Sequence, residues 1–202
     1  MNEVLRRRAA EGTFWAYVQN WAGRGLSLVV FLALARLLDP VDFGVFAVAL
    51  VLLTLAEVLV EQGLAHAIVQ RHEIDASHLG TAFWVALAAG LAFACAAFVS
   101  AGALALAFEH PEIAPLIRAL SPVFVLMALS SVPAALLRRE LDYKQLAKCT
   151  VAANLTSGAV AIWLAVLGAG AWTFVAQQLT FQLVGAVAIW RSVSWRPART
   201  VS

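Results

Sequence analysis

Arg24 is the residue of this 202-residue chain whose chemistry most needs explaining. It sits near the middle of an apolar stretch. A charge at that depth of a bilayer costs at least about 2.5–3.5 kcal/mol, so such side chains face a cavity, a partner or an anionic ligand. Tyr17, Asn20, Arg24 and Ser27 recur at helical spacing, which puts them on one face, and Gly23 and Gly25 flank the arginine so that another helix or a head group can approach. A guanidinium offers a planar fork of donors that suits phosphate, and amides and hydroxyls suit sugars. Further polar faces occur in other apolar stretches: Thr54, Glu57 and Glu61; Thr150, Asn154 and Ser157; and Gln178 and Gln182, with Gln177 beside them.

Each of these has a structural reading as well. Arg24 could pair with Glu57, and Asn154, Gln177, Gln178 and Gln182 could be hydrogen-bonding glue between helices. Arg118, close to the end of its stretch, can snorkel. His66, His72, His78 and His110 are scattered around loops, so no metal site is expected, and Cys95 and Cys149 read as packed free thiols. No nucleophile motif, phosphate loop or zinc pattern appears, which argues against an enzyme, and no cofactor is expected. A glycosyltransferase would need acidic groups at the outer face. Asp39, Asp42, Glu109 and Glu112 lie there, but beside turn-forming prolines.

The elements that must position these groups are transmembrane helices. Hydrophobic residues make up 62% of the chain and charged ones 13%, against about 25% charged in soluble domains, and the mean hydropathy is +0.84. Six apolar segments, roughly 14–38, 43–66, 81–108, 113–137, 149–167 and 171–190, each approach the ~20 residues a bilayer core requires. The expected fold is all-α, a six-transmembrane-helix bundle around a hydrophilic cavity. Arg6, Arg7 and Arg8 ahead of the first segment resemble a signal peptide, but the segment is too long for one and retention is expected. Of the 14 basic residues, 11 fall on one side: Arg6, Arg7, Arg8, Arg71, Arg138, Arg139, Lys144, Lys148, Arg191, Arg196 and Arg199. The positive-inside rule puts that side, with both termini, in the cytoplasm.

Several stretches resemble a known family. Ala35-Arg36-Leu37-Leu38-Asp39-Pro40 followed by Phe43-Gly44-Val45-Phe46 is similar to the signature between the first two helices of polysaccharide flippases. Glu61-Gln62-Gly63-Leu64 and Ala67-Ile68-Val69-Gln70-Arg71 resemble the end of their second helix. Pro133-Ala134-Ala135-Leu136-Leu137-Arg138-Arg139-Glu140-Leu141-Asp142-Tyr143 resembles the stretch after the fourth, and Gly168-Ala169-Gly170-Ala171-Trp172 the turn before the sixth. These flippases belong to the multidrug/oligosaccharidyl-lipid/polysaccharide exporter superfamily. The resemblance implies one six-helix lobe of a two-lobe inner-membrane transporter for O-antigen, exopolysaccharide or capsule units on an undecaprenyl-pyrophosphate carrier. It makes Arg24 the central arginine of the first helix and Arg36 a second carry-over at the outer mouth. Asn20, Gln178 and Gln182 would complete the substrate site, and Glu57 would be a candidate for ion coupling. The partners implied are the membrane lipid, the lipid-linked oligosaccharide, and a second six-helix lobe or a second copy of the chain. No nucleic acid is expected. The alternatives are a drug or small-molecule exporter half of the same superfamily, or a non-transporting remnant or assembly subunit.

Overall fold

The structure, a computed structural model, describes residue 21, residues 23–60 and residues 76–197, apart from the side chains of residues 52, 53, 55–60 and 76–78. Every regular element among them is a helix: α1 (residues 23–37), α2 (Pro40–Val60), α3 (Ala76–Ala107), α4 (Ile113–Leu120), α5 (Pro122–Arg139), α6 (Tyr143–Val166) and α7 (Trp172–Ser192). Four stretches among the described residues are long and apolar enough to cross a membrane: Leu79–Ala107, Ile113–Arg139, Tyr143–Val166 and Trp172–Ser192. The chain is an all-α, multi-pass membrane protein.

The turns follow from local chemistry. Residue 39 precedes a proline, which disfavours helical backbone there, so α1 stops and Pro40 opens α2. After α3, Glu109 adopts φ 58°, and on that exposed turn His110 Nδ1 lies 3.1 Å from Glu112 Oε1. The Glu112 carboxyl is held below its ordinary range, first by a backbone hydrogen bond and then by His110. Asp142 caps α6 by accepting from the Gln145 backbone N–H at 3.1 Å. Gly168 and Gly170 take φ 76° and 57° between α6 and α7, a conformation that glycine adopts without steric penalty. A Cβ on Gly170 would stand 3.1 Å from Asp42 Oδ1, so this turn seats against the start of α2.

The fourth apolar segment is interrupted. Its continuous reading over 113–137 is, in the structure, the two helices α4 and α5 with Ser121 between them. Pro122 has no N–H to continue the ladder, and Ser121 Oγ donates to the Arg118 carbonyl at 2.8 Å. A second proline, Pro133, lies inside α5 and leaves the carbonyl four residues back, on Leu129, without its helical donor. Trp190 Nε1 on α7 donates to that carbonyl at 3.0 Å, so the defect in one helix becomes a tie between two. Trp190→Phe keeps the ring but leaves a carbonyl stranded. The expected loss is about 1–3 kcal/mol of unfolding free energy, to be read from equilibrium unfolding in mixed micelles.

Among the described residues, three apolar clusters hold the bundle. The largest joins α2, α3, α4, α5 and α7 through Val45, Ala101, Ile117, Val123, Phe124 and Val175. The second sets Val30, Leu34 and Leu38 of α1 against Ala161 and Ala165 of α6 and Phe174 of α7. Phe174 also stacks on Phe46 with centroids 4.5 Å apart and meets Phe43 edge-on at 4.9 Å. The third gathers Leu79, Phe83, Val132 and Ala135 under Trp190 and Trp195. Large apolar side chains also cover the outside, with Val99, Leu106 and Val166 at 80%, 82% and 68% exposure; such an exterior suits lipid. Cys149 is buried, as expected for a packed thiol, but Cys95 is exposed, so that reading fails for Cys95. Its position on α3 points it outward with Phe98 and Val99 rather than toward α5.

Candidate functional site

The seam between α1 and α6 brings the first polar face into register. Gly23 is buried, and a Cβ there would lie 3.6 Å from Thr150 Cγ2 and 3.8 Å from Asn154 Nδ2. One turn on, Ser27 Oγ donates to Asn154 Oδ1 at 3.0 Å. Asn154 Nδ2 in turn donates to the Thr150 carbonyl at 3.0 Å, so both ends of the amide are engaged. Two turns on, Val30 fills the space left by Gly158, where a Cβ would stand 2.6 Å from Val30 Cγ2. Asn154 is interhelical glue, as its position suggested.

Arg24 follows Gly23 on this helix, and its side chain is exposed. Gly25 beside it has nothing among the described residues within 4 Å of where a Cβ would be, so among them the approach to the arginine is open on that side. Arg36 is also exposed, near the other end of α1. Twelve residues of helix put roughly 18 Å between the two along the axis, so they do not form one site. Asn20 and Tyr17 lie outside the described residues, as do Glu61 and the side chain of Glu57. Gln177, Gln178 and Gln182 are half-buried on α7.

Gln182 lines a cavity of about 210 Å³ between α5, α6 and α7. Ser130, Ser131, Ala134 and Arg138 supply its α5 wall, Leu146, Cys149, Thr150 and Ala153 the α6 wall, and Phe181, Gln182, Gly185, Ala186 and Ile189 the α7 wall. Thr150 connects the two regions, because its methyl faces the position a Cβ on Gly23 would take, 3.6 Å away, while the residue also borders the cavity beside Gln182. Gln178 is not among the residues on its wall. The cavity lies where α5 ends and α6 begins. Beneath it Gln145 Nε2 donates to Ser192 Oγ at 2.9 Å, closing α6 onto α7.

Arg138, Ser130 and Ser131 were not singled out from the sequence as site residues, since Arg138 reads there as loop charge. The signal was nonetheless present: Ser130, Ala134 and Arg138 recur every four residues, which places them on one helical face. Arg118, read as snorkelling, is exposed and lies over the Phe98 ring, 5.5 Å from its centroid.

Residues 33–202 match the family described as "Polysaccharide biosynthesis protein". The chain is 32% identical over 151 residues to the Lipopolysaccharide biosynthesis protein WzxC of Escherichia coli (strain K12), covering 75% of this chain and 31% of that protein. It is 33% identical over 172 residues to the Succinoglycan biosynthesis transport protein ExoT of Rhizobium meliloti (strain 1021), covering 84% of this chain and 34% of that one. Similarity to the Teichuronic acid biosynthesis protein TuaB of Bacillus subtilis (strain 168) is 21% over 197 residues, 96% of this chain and 41% of that protein. No solved structure matches the chain significantly. The chain spans about a third of the length of the first two of these relatives. Those relatives are named for polysaccharide biosynthesis and transport rather than for an enzymatic reaction. With the match running from α1 through α7 and the observed bundle of apolar helices, the chain belongs to the polysaccharide biosynthesis protein family of multi-pass membrane proteins.

Proposed function

We propose that this chain is one lobe of a bacterial inner-membrane flippase that carries an undecaprenyl-pyrophosphate-linked oligosaccharide from the cytoplasmic to the periplasmic leaflet. The observation that carries this reading is Arg24, an exposed cation on an apolar helix, with no described residue crowding Gly25 and a hydrogen-bonded Ser27–Asn154 pair one turn away. A pyrophosphate between a prenyl tail and sugars needs such a group, because its charge otherwise has to cross hydrocarbon. In this scheme Arg24 and Asn20 take the pyrophosphate, Gln178 and Gln182 take sugar hydroxyls, and Arg36 stands at the outer mouth. The basic end bearing Arg138, Arg139, Lys144, Lys148 and Arg191 faces the cytoplasm, as the distribution of positive charge requires. A second six-helix lobe completes the path.

The test is complementation of a strain lacking its O-antigen or exopolysaccharide flippase, by this chain alone and with a second lobe from a full-length relative. Restored surface polysaccharide supports the proposal and shows which arrangement transports. Good membrane expression without rescue in either arrangement refutes it for that cargo. Glu57 is the proposed coupling site, on the strength of its position within an apolar helix. Glu57→Gln is expected to flatten the pH or sodium dependence of transport. If rates and pH profile both stay as in wild type, Glu57 has no coupling role.

A further inference from the structure

The cavity between α5, α6 and α7 has a chemistry of its own, and apart from Gln182, which the proposed sugar path also uses, its reading does not rest on transport. Among the described residues the charged one on its wall is Arg138, half-buried in the last turn of α5. Gln182 adds a carboxamide and Thr150 a hydroxyl. Ser130 Oγ donates to the Leu126 carbonyl at 2.7 Å and Ser131 Oγ to the Ala128 carbonyl at 2.8 Å. Both serine protons are therefore committed to the helix, and what these serines turn toward the cavity is acceptor lone pairs. The rest of the wall, including Met127, Leu146, Phe181 and Ile189, is apolar.

One cation, a two-way amide and serine acceptors specify a ligand that combines an anion with hydroxyl donors. The apolar wall adds that the ligand continues into a hydrocarbon portion. The depth agrees: Arg138 adjoins Arg139 at the end of α5, with Lys144 and Lys148 at the start of α6. Such a basic cluster marks the level of lipid headgroups, where anionic lipids concentrate. A volume of about 210 Å³ exceeds what a few waters occupy and admits a phosphodiester with a glycerol attached.

We propose that this cavity is a binding site for a hydroxylated phosphodiester, the phosphoglycerol headgroup of an anionic lipid, with Arg138 holding the phosphate and Gln182, Thr150, Ser130 and Ser131 holding the hydroxyls. The same chemistry could be supplied by a soluble glycerol phosphate, and the apolar wall favours the lipid.

The experiment uses the purified full chain in nanodiscs of defined composition. Bound lipid is counted by native mass spectrometry after exchange between phosphatidylglycerol and phosphatidylcholine, with glycerol 1-phosphate and inorganic phosphate as soluble competitors. Phosphatidylglycerol should be retained at least about tenfold over phosphatidylcholine, and Arg138→Gln should weaken that retention by about tenfold or more, the usual scale for a charged hydrogen bond. Arg139→Gln removes the same charge from the neighbouring exposed position and should change retention less than about twofold. Gly185→Val blocks the cavity without altering charge. Among the described residues a Cβ there meets Ala153 Cβ at 3.9 Å, an ordinary contact, so the first side-chain atom fits; in a variant shown by circular dichroism to be folded, retention should again fall. Displacement by glycerol 1-phosphate at concentrations matching the lipid would uphold the chemistry and assign it to a soluble source. Equal retention of the two lipids, equal effects of Arg138→Gln and Arg139→Gln, or full retention in a folded Gly185→Val protein would each overturn the proposal.

Discussion

Gly90→Leu should prevent α3 from docking on α5. Gly90 is buried where these helices cross, and a Cβ there would fall 2.6 Å from Ala128 Cβ and 2.8 Å from the Phe124 carbonyl oxygen. Neither neighbour can rotate away, because one is the first side-chain atom and the other is backbone. The helices must separate instead, and contact between the third segment and the fourth is lost around Phe93 and Phe124. Even Gly90→Ala should lose about 1–3 kcal/mol from overpacking, against a gain of up to about 1 kcal/mol in helix propensity. Leucine should abolish the folded bundle. The comparison that isolates the cause is Gly44→Ala, on α2, where a Cβ meets no described residue within 4 Å; that variant should be neutral or slightly more stable. Gly158→Ala should fall between the two, since its obstacle is a methyl of Val30 rather than backbone. Unfolding in mixed micelles, followed by helical circular dichroism, orders the three. If Gly90→Ala proved as stable as Gly44→Ala, the close crossing would be wrong.

Arg24→Ala should depress transport by roughly 10- to 100-fold while leaving the lobe folded. The exposed guanidinium is not part of the α1–α6 packing, which Gly23, Ser27 and Val30 make. On the proposed reading its removal takes away contacts to the pyrophosphate and spares the α1–α6 seam, and charged hydrogen bonds are worth about 1.5–3 kcal/mol each. Arg24→Lys keeps the charge without the planar fork and should retain part of the rate. Ser27→Ala makes the opposite cut, loosening the seam while sparing the charge. The readout is accumulation of the lipid-linked oligosaccharide inside cells, scored against the amount of each variant in the membrane. Unchanged transport in Arg24→Ala would remove this residue from the site.

The chemistry that punctuates the chain was legible because it acts locally. Asp39-Pro40, His110-Pro111 and Gly168-Ala169-Gly170 each dictate a backbone conformation within a few residues, and the chain turns at all three. Apolar composition likewise announced membrane helices. Asn154 could be named as glue because an amide in an apolar helix must find a partner, which proves to be Ser27, 127 residues away. What could not be read was where distant pieces meet. Pro133 announces a vacant carbonyl, but nothing local says that Trp190 fills it across 61 residues. Arg138 belongs equally to a charged loop and to a helix face, and only the arrival of α6 and α7 decides between them. Gln182 was legible as polar, but whether it met a helix or a cavity depended on the small residues opposite, Ala134 and Ala153.

Lipid-linked oligosaccharide flux bears most directly on the central claim. The chain, assembled with a second lobe, would be reconstituted into vesicles holding undecaprenyl-pyrophosphate-linked oligosaccharide, and the fraction exposed to an impermeant glycosidase followed with time. The account predicts flux well above that of protein-free vesicles, reduced roughly 10- to 100-fold by Arg24→Ala. Correctly inserted protein that moves no more sugar than empty vesicles, or an Arg24→Ala assembly that moves it at the wild-type rate, would contradict it.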